Sequence, residues 1–286
     1  MKNKTLTLVG IAMSLLLANH SQAQLFKRLK DKVTSKIGDK ADGMIDDVFS
    51  KKSKDTTLRT STSSVNTAFF MDAAKSYNFV PGNTVIFQDN FSRDSLGTMA
   101  QHWKTSGSGD IETFRLRNGR WLSLNEFTSY KLKRDNPLPE NFTIEFDIAT
   151  QSNTNAGDLE TLSFGFAHDN NISDYISDAY NDNAITETQI HYWNKEVNNS
   201  SSDTKINNTI KFPLAAYAVG IMHVAIKVNG ENMQVFLDKA KVLDTHMFLG
   251  TSKTKYFYIS TGTRLDNGAK IGISNFTIAA IENGNV

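Results

Sequence analysis

The clearest pattern in the chain is an alternation of apolar and polar residues between Ile221 and Thr245. Its apolar members are Val224, Ile226 and Val228 before an Asn-Gly turn, and Met233, Val235 and Leu237 after it. Two alternating runs around Asn-Gly are a strong hairpin signal, because both turn residues tolerate positive φ. A second tight turn at residues 238–241 leads into a third short run. The pattern therefore predicts a three-stranded antiparallel meander.

Short runs of the same kind recur through most of the chain after residue 77. They predict strands at Thr84–Gln88, Ile111–Leu116, Trp121–Leu124, Thr128–Lys133, Phe142–Ala149, Leu162–Ala167, Gln189–Trp193, Thr209–Phe212, Tyr256–Ser260 and Lys270–Ala280. We expect no helix longer than about three turns between Tyr77 and Val286, because no helical period is present there. Many short strands with turn signals predict an all-β sandwich or barrel.

Three polar segments interrupt these strands: Gln151–Asp158, Asp169–Thr188 and Asn194–Asn208. They are rich in Asn, Asp and Ser. Loops that a rigid sheet presents commonly carry the binding residues of a protein. Binding residues are therefore expected in these segments and at the strand ends beside them.

Two parts of this pattern resemble a known family. The meander is similar to that of laminin-G-like and concanavalin A-like domains, with Lys239 where those domains usually carry Gly. The motif F-x-D-x-F-S from Phe87, followed by Leu-Gly and then Trp103, resembles the first strand of concanavalin A-like domains. The resemblance implies a jelly-roll sandwich of two antiparallel sheets. The predicted fold is thus an all-β jelly roll preceded by an amphipathic helix.

The first half of the chain has a narrower resemblance. Residues Leu25–Leu138 are similar to the N-terminal region of exported Bacteroidetes proteins of the OmpA family. In those proteins this region precedes an OmpA-like peptidoglycan-binding module, and the sequence up to Val286 has no match to that module. The resemblance therefore implies a role in the cell envelope without implying peptidoglycan anchoring.

The first 23 residues have the layout of a secretory signal peptide. Lysines precede the apolar run Leu6–Ala18, and Ser21-Gln22-Ala23 provides a cleavage site before Gln24. The apolar run is shorter than the roughly 20 residues that a membrane-spanning helix needs, so an uncleaved anchor is the less favoured alternative. The expected location is the periplasm, the outer membrane surface or the extracellular medium, and the expected mature protein is not an integral helical membrane protein.

The mature chain is predicted to have three parts. Residues 24–49 form an amphipathic helix, because apolar residues recur at helical spacing from Leu25 to Phe49. Residues 50–76 are predicted to be a flexible linker, and residues 77–286 the sandwich domain. The helix is basic at its start and acidic at its end, which opposes the helix macrodipole. It is interpreted as a stalk or docked helix, or as a surface for self-association, an envelope partner or a membrane.

Composition excludes several classes of function. The chain has no cysteine, which excludes disulfides, thiolate metal sites and a cysteine nucleophile. A formal net charge of +1 is not typical of a nucleic-acid-binding protein, so no nucleic-acid partner is expected.

Glu145 and Asp147 match part of a catalytic pattern. Glucanases of the concanavalin A-like class use an E-x-D-x-E strand, and the third position here is Ala149. Glycoside hydrolysis needs an acid paired with a nucleophile or base. The incomplete triad predicts a solvated strand face and no catalytic residues, so a glycoside hydrolase is the third-ranked function.

The candidate ligand-binding residues are His191, Tyr192, Trp193 and Asn194. Sugar sites combine an aromatic surface with a few polar groups, and this run supplies both. Burial of the aromatic side chains in the sandwich core is the alternative.

Calcium is the one metal that the sequence leaves open. Oxygen ligands are available from residues 168–171 and from Asp174, Asp178 and Asp182, but no D-x-D-x-D-G loop is present. No cofactor is therefore expected, and no zinc spacing is found among the histidines.

These observations predict an exported, non-enzymatic envelope protein whose sandwich binds a glycan or another envelope polymer. The alternative is a structural or assembly scaffold of the envelope, in which the helix at residues 25–49 mediates oligomerisation. The prediction of binding rests on the family resemblance. The fold alone does not identify a function, since one fold supports many functions.

Overall fold

The computed structural model describes residues 58–115, 117–159, 161–172, 176, 184–246, 254–262 and 264–282, with side chains from residue 67 onward. The predicted signal peptide, the predicted helix at residues 24–49 and the first residues of the predicted linker lie outside this part of the chain. Residues 64–286 form one compact unit.

One α-helix and fifteen strands make up the described structure. In chain order they are α1 Leu58–Lys75, β1 Thr84–Asp89, β2 Trp103–Thr105, β3 Gly109–Glu112, β4 Trp121–Leu124, β5 Thr128–Leu132, β6 Asn141–Gln151, β7 Thr161–Ala167, β8 Thr186–His191, β9 Glu196–Ser201, β10 Asn207–Lys211, β11 Val219–Asn229, β12 Asn232–Leu237, β13 Ala240–Thr245, β14 Tyr256–Thr261 and β15 Lys270–Ala280. Short 3₁₀ turns lie at Ala156–Leu159, Leu214–Tyr217 and Asp266–Gly268.

The strands form two antiparallel sheets, which confirms the predicted all-β jelly-roll sandwich. The first sheet, sheet A, has the order β13-β12-β11-β6-β15-β4-β3, and β1 pairs with β15. The second, sheet B, has the order β10-β9-β8-β7-β14-β5-β2. Among the described residues from 77 onward, no helical element is longer than four residues, as the missing helical period predicted.

The core lies between the sheets and is built from alternate residues of the central strands. On β6 these are Phe142, Ile144, Phe146 and Ile148, all fully buried. Phe146 is central, because its ring centroid lies 5.4 Å from that of Phe164 and 5.7 Å from that of Phe257 in sheet B. Edge-to-face aromatic packing of this kind adds stability beyond the area that is buried.

The meander forms as predicted. Its second turn has Lys239 where similar domains usually have glycine, and hydrogen bonds stabilise this turn. The two-residue turn between β12 and β13 consists of Asp238 and Lys239, because Leu237 pairs with Ala240. Asp238 takes a positive φ of 52°, which is unfavourable for most non-glycine residues. Its carboxylate accepts hydrogen bonds from the backbone N–H of His223, at 2.8 Å, and from the hydroxyl of Tyr217. These bonds hold the turn against β11.

The sequence analysis misses β2 and β9 and misplaces the ends of β3 and β8. β9 lies inside the predicted loop Asn194–Asn208, and the predicted strand Gln189–Trp193 begins earlier and ends at His191. β9 was missed because its inward-facing residues are partly polar. Buried Asn199 accepts a hydrogen bond from Thr188 Oγ1 at 2.8 Å and donates one to the carbonyl of Val242 at 3.0 Å. Hydrogen bonding replaces the apolar alternation that would have indicated a strand.

Helix α1 lies in the segment that was predicted to be a flexible linker. Its sequence is rich in Ser and Thr, so the apolar period is weak. Phe70 supplies the contact that the pattern did not indicate, with its ring centroid 6.2 Å from that of Phe212 and 6.1 Å from that of Tyr217. An aromatic contact rather than an apolar stripe therefore holds the C-terminal part of α1 against the sandwich.

We expect Phe146→Ala to lower the free energy of unfolding by about 3–5 kcal/mol, because it removes the ring that joins the two sheets. Leu96, which is exposed, serves as the control, and Leu96→Ala should change stability by less than about 0.5 kcal/mol. Urea unfolding followed by circular dichroism measures both. Equal losses in the two variants would contradict this account of the core.

Candidate functional site

The four predicted binding residues lie at the turn that joins β8 to β9. The last pair of the hairpin is His191 with Glu196, so residues 192–195 form the turn. Lys195 has a positive φ of 54°, which reverses the chain. The turn projects from one end of the sandwich, and the end of β6, the 3₁₀ turn Ala156–Leu159 and the loop after β14 lie at the same end.

Tyr192 and His191 belong mainly to the body of the domain. Tyr192 is fully buried, and burial raises the pKa of its phenol. His191 is half-buried, and its Nδ1 lies 3.2 Å from the hydroxyl oxygen of Thr161. Burial lowers the pKa of the imidazole, so His191 is neutral near pH 7. The expectation that all four residues form one binding surface is not met for Tyr192.

Trp193 has the opposite environment, with 74% of its surface exposed. Its six-membered ring lies against the backbone of Gly157, since a Cβ added at Gly157 would be 2.7 Å from Trp193 Cε3. The indole is thus supported from beneath by a residue without a side chain. Exposed Asn155 lies two residues before Gly157, and exposed Asn194 follows Trp193 in the chain. We call these four residues the Trp193 platform.

A buried carboxylate fixes the loop beneath the platform. Asp158 accepts hydrogen bonds from Ser152 Oγ at 2.6 Å, from Thr154 Oγ1, and from Asn267 Nδ2 at 2.9 Å. These donors, Ser152 first, hold the pKa of Asp158 well below its usual range. Asn153 Nδ2 also donates to the carbonyl of Asn267 at 2.9 Å. The loop that carries Gly157 is therefore tied to the loop after β14 and is positioned without a ligand.

The rim of the platform is polar. Asn194 Nδ2 donates to Glu196 Oε1 at 3.3 Å, and Lys211 Nζ lies 3.5 Å from Glu196 Oε2. Asn155 Oδ1 accepts from the backbone N–H of Gly157 at 2.8 Å. An exposed aromatic face with amide groups beside it can stack on an apolar surface and exchange hydrogen bonds with hydroxyl groups.

A second polar cluster, which the sequence analysis missed, lies on the outer face of sheet A. His223 on β11 stands between Asp147 and Glu145 on β6, with its Nδ1 2.8 Å from Asp147 Oδ1 and its Nε2 3.3 Å from Glu145 Oε2. Asn275 Nδ2 donates to Asp147 Oδ2 at 2.7 Å. Hydrogen bonds to Asp147 and then Glu145 raise the pKa of His223 to about 9, so the imidazole is charged near pH 7.

This cluster corrects the prediction that Glu145 and Asp147 lie on a simply solvated strand face. Burial acts to raise the pKa of Asp147, but hydrogen bonds from His223 and Asn275 outweigh it and leave the pKa lowered. A glycosidase needs one carboxyl group whose raised pKa keeps it protonated. Here the imidazolium of His223 pairs with both carboxylates, so the arrangement is that of an ion-pair network.

Two of the described calcium candidates, residues 169 and 170, accept hydrogen bonds from lysines. The carbonyl of Asp169 accepts from Lys131 Nζ at 2.9 Å, and that of Asn170 accepts from Lys104 Nζ. Asp174, Asp178 and Asp182 lie outside the described residues. Within the described part of the chain, no group of three His, Asp or Glu side chains is arranged to hold a metal ion. No helix in that part is long and apolar enough to cross a membrane.

Comparison with known proteins supports the architecture. No family model matches this sequence, and no curated protein resembles it closely enough to count as a match. A structure of the carbohydrate recognition domain of Emp47p matches with a TM-score of 0.52 at 12% identity, covering 71% of this chain and all of that domain.

Two further structures match less well. The Ca²⁺-bound exoplasmic/lumenal domain of VIP36 gives a TM-score of 0.49 at 8% identity, over 71% of this chain and 92% of that one. A sialidase gives 0.45 at 14% identity, over 70% of this chain, which spans only 19% of the sialidase. The likeness to the Emp47p domain shows a shared jelly-roll fold.

We expect Gly157→Ala to displace the ring of Trp193, because the new methyl group would lie 2.7 Å from Cε3. Trp103 and Trp121 are buried, so quenching of tryptophan fluorescence by iodide reports mainly on Trp193. The quenching constant should rise in Gly157→Ala. In the control Gly220→Ala it should not, because a Cβ there makes only ordinary contacts at 3.5 Å. An unchanged constant in Gly157→Ala would show that the ring does not rest on Gly157.

We expect stability to fall between about pH 6.5 and 9 through the loss of the proton on His223. Because its pKa is raised in the folded state, its contribution is complete below the ordinary value of 6.5 and is lost as the pH rises through about 9. In His223→Gln the melting temperature should change less with pH over this interval than it does in the wild type. His246→Gln, which alters an exposed histidine, should leave the wild-type slope. A wild-type profile with no slope there would argue against the paired imidazolium.

Proposed function

We propose that this protein is a non-enzymatic glycan-binding module and that the Trp193 platform is its ligand site. The observation that carries the proposal is an indole with 74% of its surface in solvent, held in place by a backbone that is itself hydrogen-bonded. Exposed Trp side chains are enriched at binding surfaces, where they supply a large contact area at a low entropic cost. The jelly-roll fold, shared with a carbohydrate recognition domain, is compatible with this role.

The chemistry of the platform suits a pyranose ring. The C–H groups on one face of the sugar stack on the indole, while its hydroxyls exchange hydrogen bonds with the amides of Asn155 and Asn194. Burial of roughly 100 Å² of apolar surface contributes about 2.5 kcal/mol, at about 25 cal/mol per Å². Hydrogen bonds of about 1 kcal/mol each add to this gain, and the loss of the sugar's translational and rotational freedom on binding opposes it. A single platform therefore supports weak binding to one sugar, which suits a polymer with repeated units.

We further propose that the ligand belongs to the cell envelope and that the protein acts after export. This part of the proposal is supported by the signal-peptide pattern of residues 1–23 and by the resemblance of Leu25–Leu138 to exported envelope proteins. The scaffold alternative depends on residues 25–49, which lie outside the described structure, and the hydrolase alternative is weakened by the pairing of Glu145 and Asp147 with His223. We therefore propose one function.

We expect Trp193→Ala to abolish retention on a glycan array or in affinity electrophoresis with envelope polysaccharides, while it changes the melting temperature little. The side chain is exposed, so its removal leaves no core cavity. Leu96→Ala, an exposed apolar residue in another part of the domain, is the control and should bind as wild type does. Bound glycan should also protect Trp193 from iodide quenching.

Three results separate the possibilities. Binding that is lost in Trp193→Ala but kept in Leu96→Ala supports the platform. Binding that survives Trp193→Ala would place the glycan site elsewhere on the domain. A sharp fall in the melting temperature of Trp193→Ala would mean that Trp193 is a structural residue, contrary to its exposure.

A further inference from the structure

A second exposed aromatic side chain lies at the same end of the sandwich as the Trp193 platform. Phe127, in the loop that joins β4 to β5, has 55% of its surface exposed. Thr128, the next residue, begins β5 and pairs with Thr261 at the end of β14. The start of β7 and the end of β8 lie beside them in sheet B, and β8 leads into the turn of Trp193. The loop and the turn therefore project from the same end of the domain.

The backbone conformation at Phe127 is unusual for a phenylalanine. Its φ of 50° lies in the left-handed region, which favours glycine and asparagine and is unfavourable for a bulky side chain. Residues held in such conformations cluster at functional sites, where a need for the side chain outweighs the conformational cost. Burial offsets only part of this cost, because more than half of the residue's surface is in solvent. Both observations favour a role for the ring at the surface.

Hydrogen bonds hold the loop of Phe127 in place without a ligand. Asn125 Nδ2 donates to Ser108 Oγ at 2.7 Å, and the backbone N–H of Asn125 donates to the hydroxyl of Tyr130 at 2.8 Å. The carbonyl of Asn125 accepts a hydrogen bond from Thr261 Oγ1. The ring is therefore presented by a fixed backbone, as a binding residue requires.

The loop between β14 and β15 connects the two aromatic residues. On one side the backbone N–H of Leu265 donates to Glu126 Oε1 at 2.7 Å. On the other side Asn267 Nδ2 donates to Asp158 Oδ1 at 2.9 Å, in the loop that carries Gly157. Much of the connecting loop is exposed and polar. A ligand that crossed from one ring to the other would therefore meet hydrogen-bonding groups on its way.

The two rings are too far apart to contact one sugar. Strands β8, β7, β14 and β5 are neighbours in this order in sheet B. Three spacings of about 4.8 Å place the strand before Trp193 about 14 Å from the strand after Phe127. A single pyranose is much shorter than this distance, whereas several linked sugars in an extended chain can span it.

We infer that Phe127 is a second sugar-binding residue and that the ligand is an extended oligosaccharide segment that contacts both Phe127 and Trp193. This inference rests on the proposed function, because it extends the site of Trp193. The phenyl ring offers an apolar face on which the C–H groups of a sugar can stack. Once Trp193 holds one sugar, a linked sugar is at high effective concentration near Phe127. Binding therefore strengthens with the length of the glycan, and the site selects linear polymers over isolated sugars.

The test measures binding of the full chain to linear oligomers of glucose, mannose and N-acetylglucosamine, from the single sugar to the hexamer, by glycan array and isothermal titration. Wild-type affinity should rise about tenfold or more once the oligomer is long enough to reach both rings. Phe127→Gly removes the ring and suits the positive φ, so the fold is kept. This variant should lose the gain with length and keep the affinity for the shortest ligand.

Phe127→Tyr keeps an aromatic ring and should keep the gain, as should the control Leu96→Ala. Trp193→Ala separates this inference from the proposed function. If Trp193→Ala abolishes binding while affinity does not grow with length, or grows equally in Phe127→Gly and wild type, the proposed function stands and the second site is overturned. If wild type retains none of the oligomers, both fail. A gain with length that is lost in Phe127→Gly, with an unchanged circular dichroism spectrum, supports the second site.

Discussion

The antiparallel pairing of β6 with β11 is the constraint on which most of this structure depends. The two strands pair over eleven consecutive positions, from Asn141 with Asn229 to Gln151 with Val219. Because side chains alternate across a strand, this register sends Phe146 and Val224 into the core and places Asp147 and His223 together on the outer face. A shift by one residue would bury the ion-pair network and expose the aromatic core. Core packing and outer-face electrostatics therefore favour the same register.

Polar groups also determine where the loops lie. The carboxylate of Asp158 accepts hydrogen bonds from three neighbouring side chains and so connects the loop after β6 to the loop after β14. Asp238 holds the meander turn in a backbone conformation that a glycine would usually supply. In both cases a carboxylate satisfies backbone or hydroxyl donors that would otherwise be buried without partners. The sandwich thus presents its loops in fixed positions, as a binding surface requires.

The parts of the fold that depend on local pattern were predictable from the sequence. The hairpin Asn229–Asn232 and the strands of sheet A follow from alternation and turn residues, and Trp193 was identified as a candidate for ligand binding. Its support by Gly157 was not predictable, because that contact joins residues of two different loops. The His223 cluster was missed for the same reason. Its partners lie 76 and 78 residues away, so only the pairing of β6 with β11 reveals it.

The remaining errors have a physical cause in common. β9 and α1 were both assigned to irregular segments because periodicity of apolar residues was used as the indicator of regular structure. In β9 hydrogen bonds of the buried Asn199 amide take the place of apolar packing, and in α1 aromatic contacts of Phe69 and Phe70 take the place of an apolar stripe. Polar residues of this domain, such as Asn199, can therefore be structural. It follows that the richness of its loops in Asn, Asp and Ser does not by itself identify a ligand site. The 74% exposure of Trp193 is a stronger indication, because exposed Trp side chains are enriched at binding surfaces.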